Sequence, residues 1–241
     1  MITLAFESSA ITASVAICHN ETVLGEYTLS NRNTHSVTLL PMAEELLRAL
    51  DMSIDDVDLF AVAAGPGSFT GVRIGAATVK GLAFGKGKPC IGVSTLEALA
   101  ARLPFPNCLI CPAMNARRKQ VYTALFRAKD GKLERLMPDS ALAITALDEL
   151  LTAYDEPVML CGDGYDVTIS LLTHPVRPTP ERLRAQSAYS VAQIARMAYD
   201  GGLCTTDTEM VATYLRLSQA ERERLERESK HIENSPKGIL I

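Results

Sequence analysis

The sequence predicts an α/β protein made of two lobes in tandem, each with a mixed sheet and flanking helices. Short β-rich segments and longer segments of helical periodicity run in the order βββαβαβα from the first residue. A similar order begins again after residue 107. The period of roughly a hundred residues is far longer than the about 20 to 50 residues of a solenoid unit, which indicates two duplicated lobes.

The first lobe opens with three predicted strands and a helix. Residues 2–7, 12–18 and 22–29 are short, β-rich and separated by turn-forming residues, which predicts a meander. The periodicity becomes helical over 36–50, with Thr34 or Ser36 as the cap. Pro41 predicts an irregular first turn.

Strands and helices then alternate to the end of this lobe. We expect a strand at 57–64, a helix at 70–84, a strand at 89–93 and a helix from Thr95. The connections are long enough for crossovers, so the later strands should run parallel.

The second lobe repeats this order less clearly. Its predicted strands are 108–113, 120–128, 132–137 and 157–161, and its predicted helices are 144–153, 164–172 and 187–200. We therefore predict an N-terminal lobe at 1–104 and a C-terminal lobe at 105–216. Alternating charges at helical spacing predict a charged tail at 217–241, helical or flexible, which is either solvated or a docking peptide.

The composition excludes several classes of protein. Of the 241 residues 47% are hydrophobic and 22% charged, which is typical of folded lobes and not of a disordered chain. The formal net charge of -4 argues against a nucleic-acid-binding protein that acts alone. The first residues lack the basic segment of a secretory leader, and no apolar run reaches about 20 residues, so we expect a cytoplasmic chain without a membrane span.

The six cysteines are predicted to be thiols in a reducing compartment. Cys108 and Cys111 have the spacing of a zinc or redox pair. They fall in a predicted strand, however, where side chains three residues apart point to opposite faces. We therefore expect no metal site there.

A glycine-rich block, Gly65 to Gly75, follows a predicted strand and opens a helix. Such a junction can bind phosphate, but the spacing matches neither the dinucleotide nor the P-loop fingerprint. Glycine for a tight turn, with Ser68 or Thr70 as the helix cap, explains the block better. The helix after it is small or apolar on nearly every side, so it is either covered within the chain or forms, with the helix at 36–50, an apolar patch for another subunit.

No residue pattern predicts a catalytic site, a metal or a cofactor. The hairpin from Glu7 to Ser14 stands where actin-like ATPases place a phosphate loop, yet it has no glycine to let the backbone approach phosphate, which argues against ATP hydrolysis. The four histidines are scattered without metal-binding spacing. Arg117 and Arg118 lie in a predicted basic turn, which is either solvated or contacts phosphate of a ligand or of tRNA held by a partner.

These motifs together resemble the TsaB (YeaZ) family. Gly65 to Gly75 matches the family block GPGSFTG(V/L)R(I/L)G without a gap, and residues 1–14 and 34–41 resemble the opening hairpin and the first helix. Residues 91–96 match the next junction of strand and helix. In the second lobe, residues 115–122 resemble the segment DAR-x-x-EVY with Asn and Gln replacing the two acids, and residues 212–216 resemble P-x-YLR with Ala for Pro.

The resemblance implies an actin-like (ASKHA, ribonuclease-H-like) fold and a non-catalytic subunit of the machinery that forms threonylcarbamoyladenosine at position 37 of tRNA. It implies a heterodimer with the catalytic paralogue TsaD, help from the ATPase TsaE, and an intermediate made by TsaC, with tRNA bound only through the complex. TsaD proteins carry an N-H-L-E-G-H element whose two histidines hold the catalytic metal. The matching stretch here, Ser94 to Leu99, contains no histidine.

The resemblance also implies that the partner contacts the helices at about 35–50 and 70–85. The residues expected at that surface are His35, Val37, Leu39, Leu40, Met42, Ala43, Leu47, Val72, Arg73, Ala76, Ala77, Lys80 and Phe84. Ser68, Arg117 and Arg118 are the candidates for contact with a ligand or with tRNA.

Three other functions compete with this one. The duplicated lobes suit an actin-like nucleotide-binding kinase or ATPase. A metallopeptidase is disfavoured because the sequence has no histidine pair. A self-sufficient homodimer is a third alternative, since an apolar patch without its partner can pair with its own copy about a two-fold axis.

Overall fold

A computed structural model describes residues 1–31, 34–103, 108–130 and 132–216. The strands are β1 Ile2–Glu7, β2 Ala13–His19, β3 Thr22–Leu29, β4 Leu59–Ala63, β5 Cys90–Val93, β6 Cys108–Asn115, β7 Gln120–Lys129, β8 Lys132–Ala143, β9 Val158–Cys161 and β10 Val176–Arg177. The α-helices are α1 His35–Ala49, α2 Phe69–Ala83, α3 Thr95–Ala101, α4 Ile144–Leu151, α5 Tyr165–Ile169 and α6 Ala188–Asp200. The predicted tail at 217–241 lies outside the described residues.

The strands form two five-stranded sheets with the same topology. The first has the order β3-β2-β1-β4-β5 and the second the order β8-β7-β6-β9-β10, read from the corresponding edge. In each sheet three antiparallel strands come first, and two parallel strands follow on the other side of the first strand. The predicted duplication of a mixed-sheet lobe is therefore confirmed, and the fold is the actin-like α/β fold.

Burial of each strand follows its place in the sheet. In β4, an inner strand of the first sheet, all five residues are buried, because helices cover both faces. The edge strand β3 has seven exposed residues among its eight. Continuous apolar runs thus mark the covered strands, as expected for parallel strands between two helix layers.

Helices α1 and α2 lie side by side on one face of the first sheet. The opposite face is covered by α6, which comes from the end of the described chain. In turn, α3, which ends the first half, packs on the second sheet, whose other face carries α4 and α5. The last helix of each half therefore packs against the sheet of the other half.

This exchange bears on the predicted lobe boundaries. Helix α6 belongs by sequence to the predicted C-terminal lobe at 105–216, but its buried side packs on the sheet of the predicted N-terminal lobe at 1–104. The boundary between the predicted lobes stays a prediction. Strands β1 to β5 form one sheet, and strands β6 to β10 form the other.

Two local expectations need correction. Pro41 does not disturb the first turn of α1, because the helix runs from His35 to Ala49 with Pro41 inside it, on the exposed side. The predicted helix at 164–172 is shorter, since α5 ends at Ile169.

The cysteines are free thiols, and Cys108 and Cys111 pack in clusters on opposite faces of the second sheet, as predicted. Within the described ranges, no helix combines the length and apolar character that crossing a membrane requires.

Candidate functional site

A cleft of about 630 Å³ lies between the two halves of the chain. Its first wall consists of the β1–β2 loop at 9–11 and the entry to α2 at 66–70, and its second wall of the β6–β7 turn at 114–117 with Tyr122 and Asp163. The segment 213–216 runs along the same cleft. We call this space the interlobe cleft.

The glycine-rich block contributes to the first wall of this cleft and fits closely against other backbone. Gly65 has φ of +114°, a conformation that glycine adopts without strain, and a Cβ there would overlap the carbonyl oxygen of Thr213. A Cβ at Gly71 would overlap the carbonyl oxygen of Ser8. The mechanical interpretation of the block is thus supported, because these glycines admit a neighbouring chain segment.

The β1–β2 loop bonds directly to the entry of α2. The amide of Ser68 donates to the carbonyl oxygen of Ser9 at 2.6 Å, and the hydroxyl of Ser8 donates to the carbonyl oxygen of Gly71 at 2.9 Å. The loop therefore presents carbonyl oxygens, not amides, to this junction. A phosphate-binding loop would need the opposite polarity.

Glu7 is buried beneath this loop. Its Oε1 accepts a hydrogen bond from the amide of Ser9 at 2.6 Å. Burial is the main cause that raises the pKa of Glu7, and the nearby charge of Asp163 acts in the same direction. The hydrogen bond from Ser9 opposes them, and the pKa is raised to about 7. Burial also raises the pKa of Asp163. The hydroxyl of Ser9 is buried without a hydrogen-bond partner among the described residues.

Ser68 is the N-cap of α2, as predicted. Its Oγ accepts from the amide of Gly71 at 3.3 Å, and the residue is exposed at the cleft. At α1 the cap is Thr34, whose side chain makes no capping bond. His35 instead ties this helix to the hairpin, with Nε2 2.7 Å from the carbonyl oxygen of Ala10.

The structure divides the residues predicted at the partner surface into two groups. Those buried in the chain's own core are Leu39, Met42, Ala43, Leu47, Val72 and Ala76. Those exposed are Val37, Leu40, Arg73, Ala77 and Phe84, with His35 and Lys80 partly exposed. The buried six pack between helices and sheet in this folded chain. The second group is therefore the accessible part of the predicted partner surface, and its contact with a partner stays a prediction.

Arg73 is held by an aromatic pair at the rim of the cleft. Its guanidinium lies 3.7 Å from the ring centroid of Phe69, and its Nε donates to the hydroxyl of Tyr214 at 3.1 Å. The two rings are 5.0 Å apart. Sequence periodicity did not identify this contact, because Tyr214 lies far along the chain in a segment without regular structure.

The basic turn in the second half is joined to the same segment. Arg117 and Arg118 are exposed in the turn between β6 and β7, as predicted. Arg216 reaches this turn, with Nη1 3.5 Å from the carbonyl oxygen of Ala116 and Nη2 bonded to Oε1 of Gln120. Its guanidinium lies 5.8 Å from the ring of Tyr122. The segment 213–216 therefore contacts both halves.

The stretch Ser94 to Leu99 opens α3. Oγ of Ser94 accepts from the amide of Glu97 at 3.1 Å and donates to Oδ2 of Asp139 at 2.5 Å, while Arg135 pairs with both carboxylates. These polar groups join α3 to β8. Across the described part of the chain, no three His, Cys, Asp or Glu side chains are placed to hold a metal ion.

Comparison with known proteins gives a consistent result. The family model described as "TsaD: tRNA N6-adenosine threonylcarbamoyltransferase" matches residues 22–204. The chain is similar to the "tRNA threonylcarbamoyladenosine biosynthesis protein TsaB" of Bacillus subtilis, with 40% identity over 162 residues that cover 67% of this chain and 71% of that protein. The protein of the same name from Escherichia coli is 37% identical over 126 residues, or 52% of this chain and 54% of its own length.

A solved structure extends the comparison to nearly the whole described chain. The crystal structure of "an uncharacterized protein with similarity to peptidase YEAZ from Pseudomonas aeruginosa" superposes with a TM-score of 0.77 at 26% identity. The match covers 89% of this chain and 99% of that chain.

Proposed function

Because this chain belongs to the TsaB family, we propose that it takes part in tRNA threonylcarbamoyladenosine biosynthesis as the non-catalytic partner of the transferase TsaD. In this proposal the ATPase TsaE acts on the same complex, and TsaC supplies the activated threonylcarbamoyl intermediate. The chain contributes a docking surface that stabilises the transferase.

The observation that carries the proposal is the outer surface of α1 and α2. We call it the outer helix face. It consists of Val37, Leu40 and Pro41 on α1, of Arg73, Ala77 and Gly81 on α2, and of Phe84 at the C-cap of α2. Phe84 is 77% exposed, Val37 65% and Leu40 42%, although the opposite sides of the same helices pack in the core.

The chemistry of this face suits another helix. Two small outward residues on α2 are Ala77 near its middle and Gly81 in its last turn. A Cβ at Gly81 would meet no atom within 4 Å, so a partner backbone can approach closely. Phe84 at the end of α2 is the large apolar anchor. Burying such a ring on association stabilises a complex by roughly 2–3 kcal/mol, and Arg73 supplies a polar rim.

Two features support a role without chemistry of its own. The β1–β2 loop has no glycine and directs its carbonyl oxygens at the junction where an ATPase would bind phosphate. The segment Ser94 to Leu99 has no histidine, and its polar groups bond to each other and to β8. Neither feature provides the groups that phosphate or metal binding requires.

Sedimentation of this chain with TsaD tests the proposal. We expect a 1:1 complex from equimolar mixtures at micromolar concentration, and a self-associated form of the chain alone that TsaD replaces. Separate sedimentation of the two proteins at that concentration would refute the proposed partnership.

The interlobe cleft favours a second candidate function, binding of a nucleotide. Its volume of about 630 Å³ accommodates a small ligand. The hydroxyl of Ser9, for which the described residues supply no hydrogen-bond partner, is buried at its wall. Calorimetric titration with Mg-ATP distinguishes the two functions. Micromolar affinity with turnover by the isolated chain would favour an actin-like kinase or ATPase over a docking subunit.

A further inference from the structure

The turn that joins β6 to β7 consists of three successive cations in a backbone conformation that such residues rarely adopt. Arg117, Arg118 and Lys119 have φ values of 63°, 53° and 57°. Glycine or asparagine meets this requirement with less strain. Because all three positions carry cationic side chains, we infer that these side chains are the part of the turn that contacts a ligand.

Hydrogen bonds fix the backbone of this turn from several directions. Oδ1 of Asn115 accepts from the amide of Arg117 at 2.8 Å, and the amide of Gln120 donates to the carbonyl oxygen of Arg117 at 3.0 Å. The carbonyl oxygen of Lys119 accepts from the amide of Ile144 at 3.1 Å. The three cations are therefore held on a preorganised support.

Their side chains make no ion pair or hydrogen bond with any residue that the structure describes. Other arginines of the same half differ, since Arg127 pairs with Glu156 and Arg135 with two carboxylates. The carboxylate at the base of the turn, Asp163, bonds to the amide of Asn115 at 3.3 Å. In a chain of net charge -4, this turn is a local concentration of uncompensated positive charge.

A fourth cation and two aromatic rings line the interlobe cleft together with Arg117. Arg216 bonds to Ala116 and Gln120 and lies over Tyr122, and the ring of Tyr214, which packs on Phe69, is 41% exposed. Proteins bind unpaired RNA by combining guanidinium contacts to phosphate with aromatic rings on which bases stack. A simple inorganic anion would need no ring.

We propose that the turn Arg117–Lys119, with Arg216 and Tyr214 of the interlobe cleft, binds the phosphate backbone of a single-stranded or loop region of RNA. This inference rests on the proposed function, because the transferase complex brings an RNA substrate to the chain. Arg117 and Arg118 contact phosphates, and Arg216 holds the turn in position. The isolated chain binds weakly because its overall charge is negative.

The test measures binding of an unmodified tRNA transcript to the complex of this chain with TsaD, by fluorescence anisotropy over a range of salt concentrations. The variant is Arg117→Gln with Arg118→Gln. The matched control is Lys129→Gln with Lys132→Gln, which removes the same charge from exposed positions at the other end of β7 and the start of β8. Sedimentation and thermal unfolding of each variant establish that folding and the complex are retained.

We expect the variant complex to bind tRNA about tenfold or more weakly, with the slope of log affinity against log salt reduced by roughly 1.5, while the control stays near the original values. Unchanged affinity and slope in the variant would overturn the inference, and so would an equal loss in the control. If no complex with TsaD forms even with the unaltered chain, the proposed function fails. If the complex forms and the variant binds tRNA normally, the RNA contact alone fails.

Discussion

Replacing Ala77 with glutamate should strongly weaken TsaD binding while leaving the chain folded. Ala77 is exposed at the centre of the outer helix face, and glutamate there changes the free energy of unfolding by well under 1 kcal/mol, roughly the difference in helix propensity. At a covered interface the carboxylate would lose its water without a dedicated partner, which costs about 3–5 kcal/mol. We therefore expect affinity to fall by roughly two to four orders of magnitude.

Charged neighbours on the same helix determine how much affinity for TsaD each glutamate substitution loses. Arg73 and Lys80 lie one turn on either side of Ala77 and partly neutralise a glutamate, so the lower end is expected. Leu40→Glu places a carboxylate one turn before Glu44, without a cation, and removes a half-exposed apolar side chain. The loss for Leu40→Glu should therefore lie at the upper end.

Calorimetric titration of each variant into TsaD measures the loss, and circular dichroism with thermal unfolding establishes the fold. Ala146→Glu is the matched control, because Ala146 is an exposed helical alanine on α4 in the other half of the chain. Full affinity should persist in this control. Undiminished TsaD binding by both Ala77→Glu and Leu40→Glu would refute the assignment of the outer helix face.

Three further predictions concern stability. The pKa of Glu7 is raised from 4.5 to about 7, so its protonation favours the fold below pH 4.5 and this contribution is lost as the pH rises through 7. Glu7→Gln should remove about 3 kcal/mol of that pH dependence, so the variant should gain stability relative to the parent between pH 4.5 and pH 8. Urea unfolding at the two pH values measures this, and the same difference in free energy of unfolding at both would contradict the prediction. Ser68→Ala removes the side-chain cap of α2 and should lower the free energy of unfolding by about 1 kcal/mol, which is a fall in Tm of roughly 2–4 °C. Thr34→Ala is the control and should have little effect, because the Thr34 side chain makes no capping bond. Gly71→Ala forces a Cβ onto a carbonyl oxygen and should destabilise the fold by more than about 2 kcal/mol. Gly81→Ala in the same helix places its Cβ in open space and should stabilise the fold by about 0.5–1 kcal/mol. Chemical denaturation of the isolated chain measures both changes.

Regular structure was largely predictable because hydrophobic periodicity is a local property. The three strands of the first meander, for example, are observed within one residue of their predicted bounds. The duplicated topology followed from the repeated order of elements. Pro41 was misjudged because a proline on the exposed side of a helix need not end it when the opposite side is well packed.

Burial on the two partner helices was not predictable from pattern. Both α1 and α2 carry apolar residues on more than one side. Helical spacing places Leu39 on one stripe with Ala43 and Leu40 beside that stripe, but it does not say which side faces the sheet and which a partner. The structure buries Leu39 and leaves Leu40 half exposed, because the direction of the sheet decides between them. A list of apolar positions therefore mixed core residues with surface residues.

Contacts made by residues 213–216 were also beyond sequence reasoning. Tyr214 meets Arg73, and Arg216 meets Gln120, across separations of about a hundred residues or more with no periodic signal. The left-handed conformation of Arg117 and Arg118 had no signal either, since glycine and asparagine are the usual indications of such a turn.

The central claim, that TsaD depends on this chain through the outer helix face, is tested most directly by tRNA modification in vitro with purified TsaC, TsaD and TsaE. We expect threonylcarbamoyladenosine to form when this chain is added, and to be reduced to background when the chain is omitted or replaced by the Leu40→Glu variant. Full modification without the chain, or with that variant, would contradict the account.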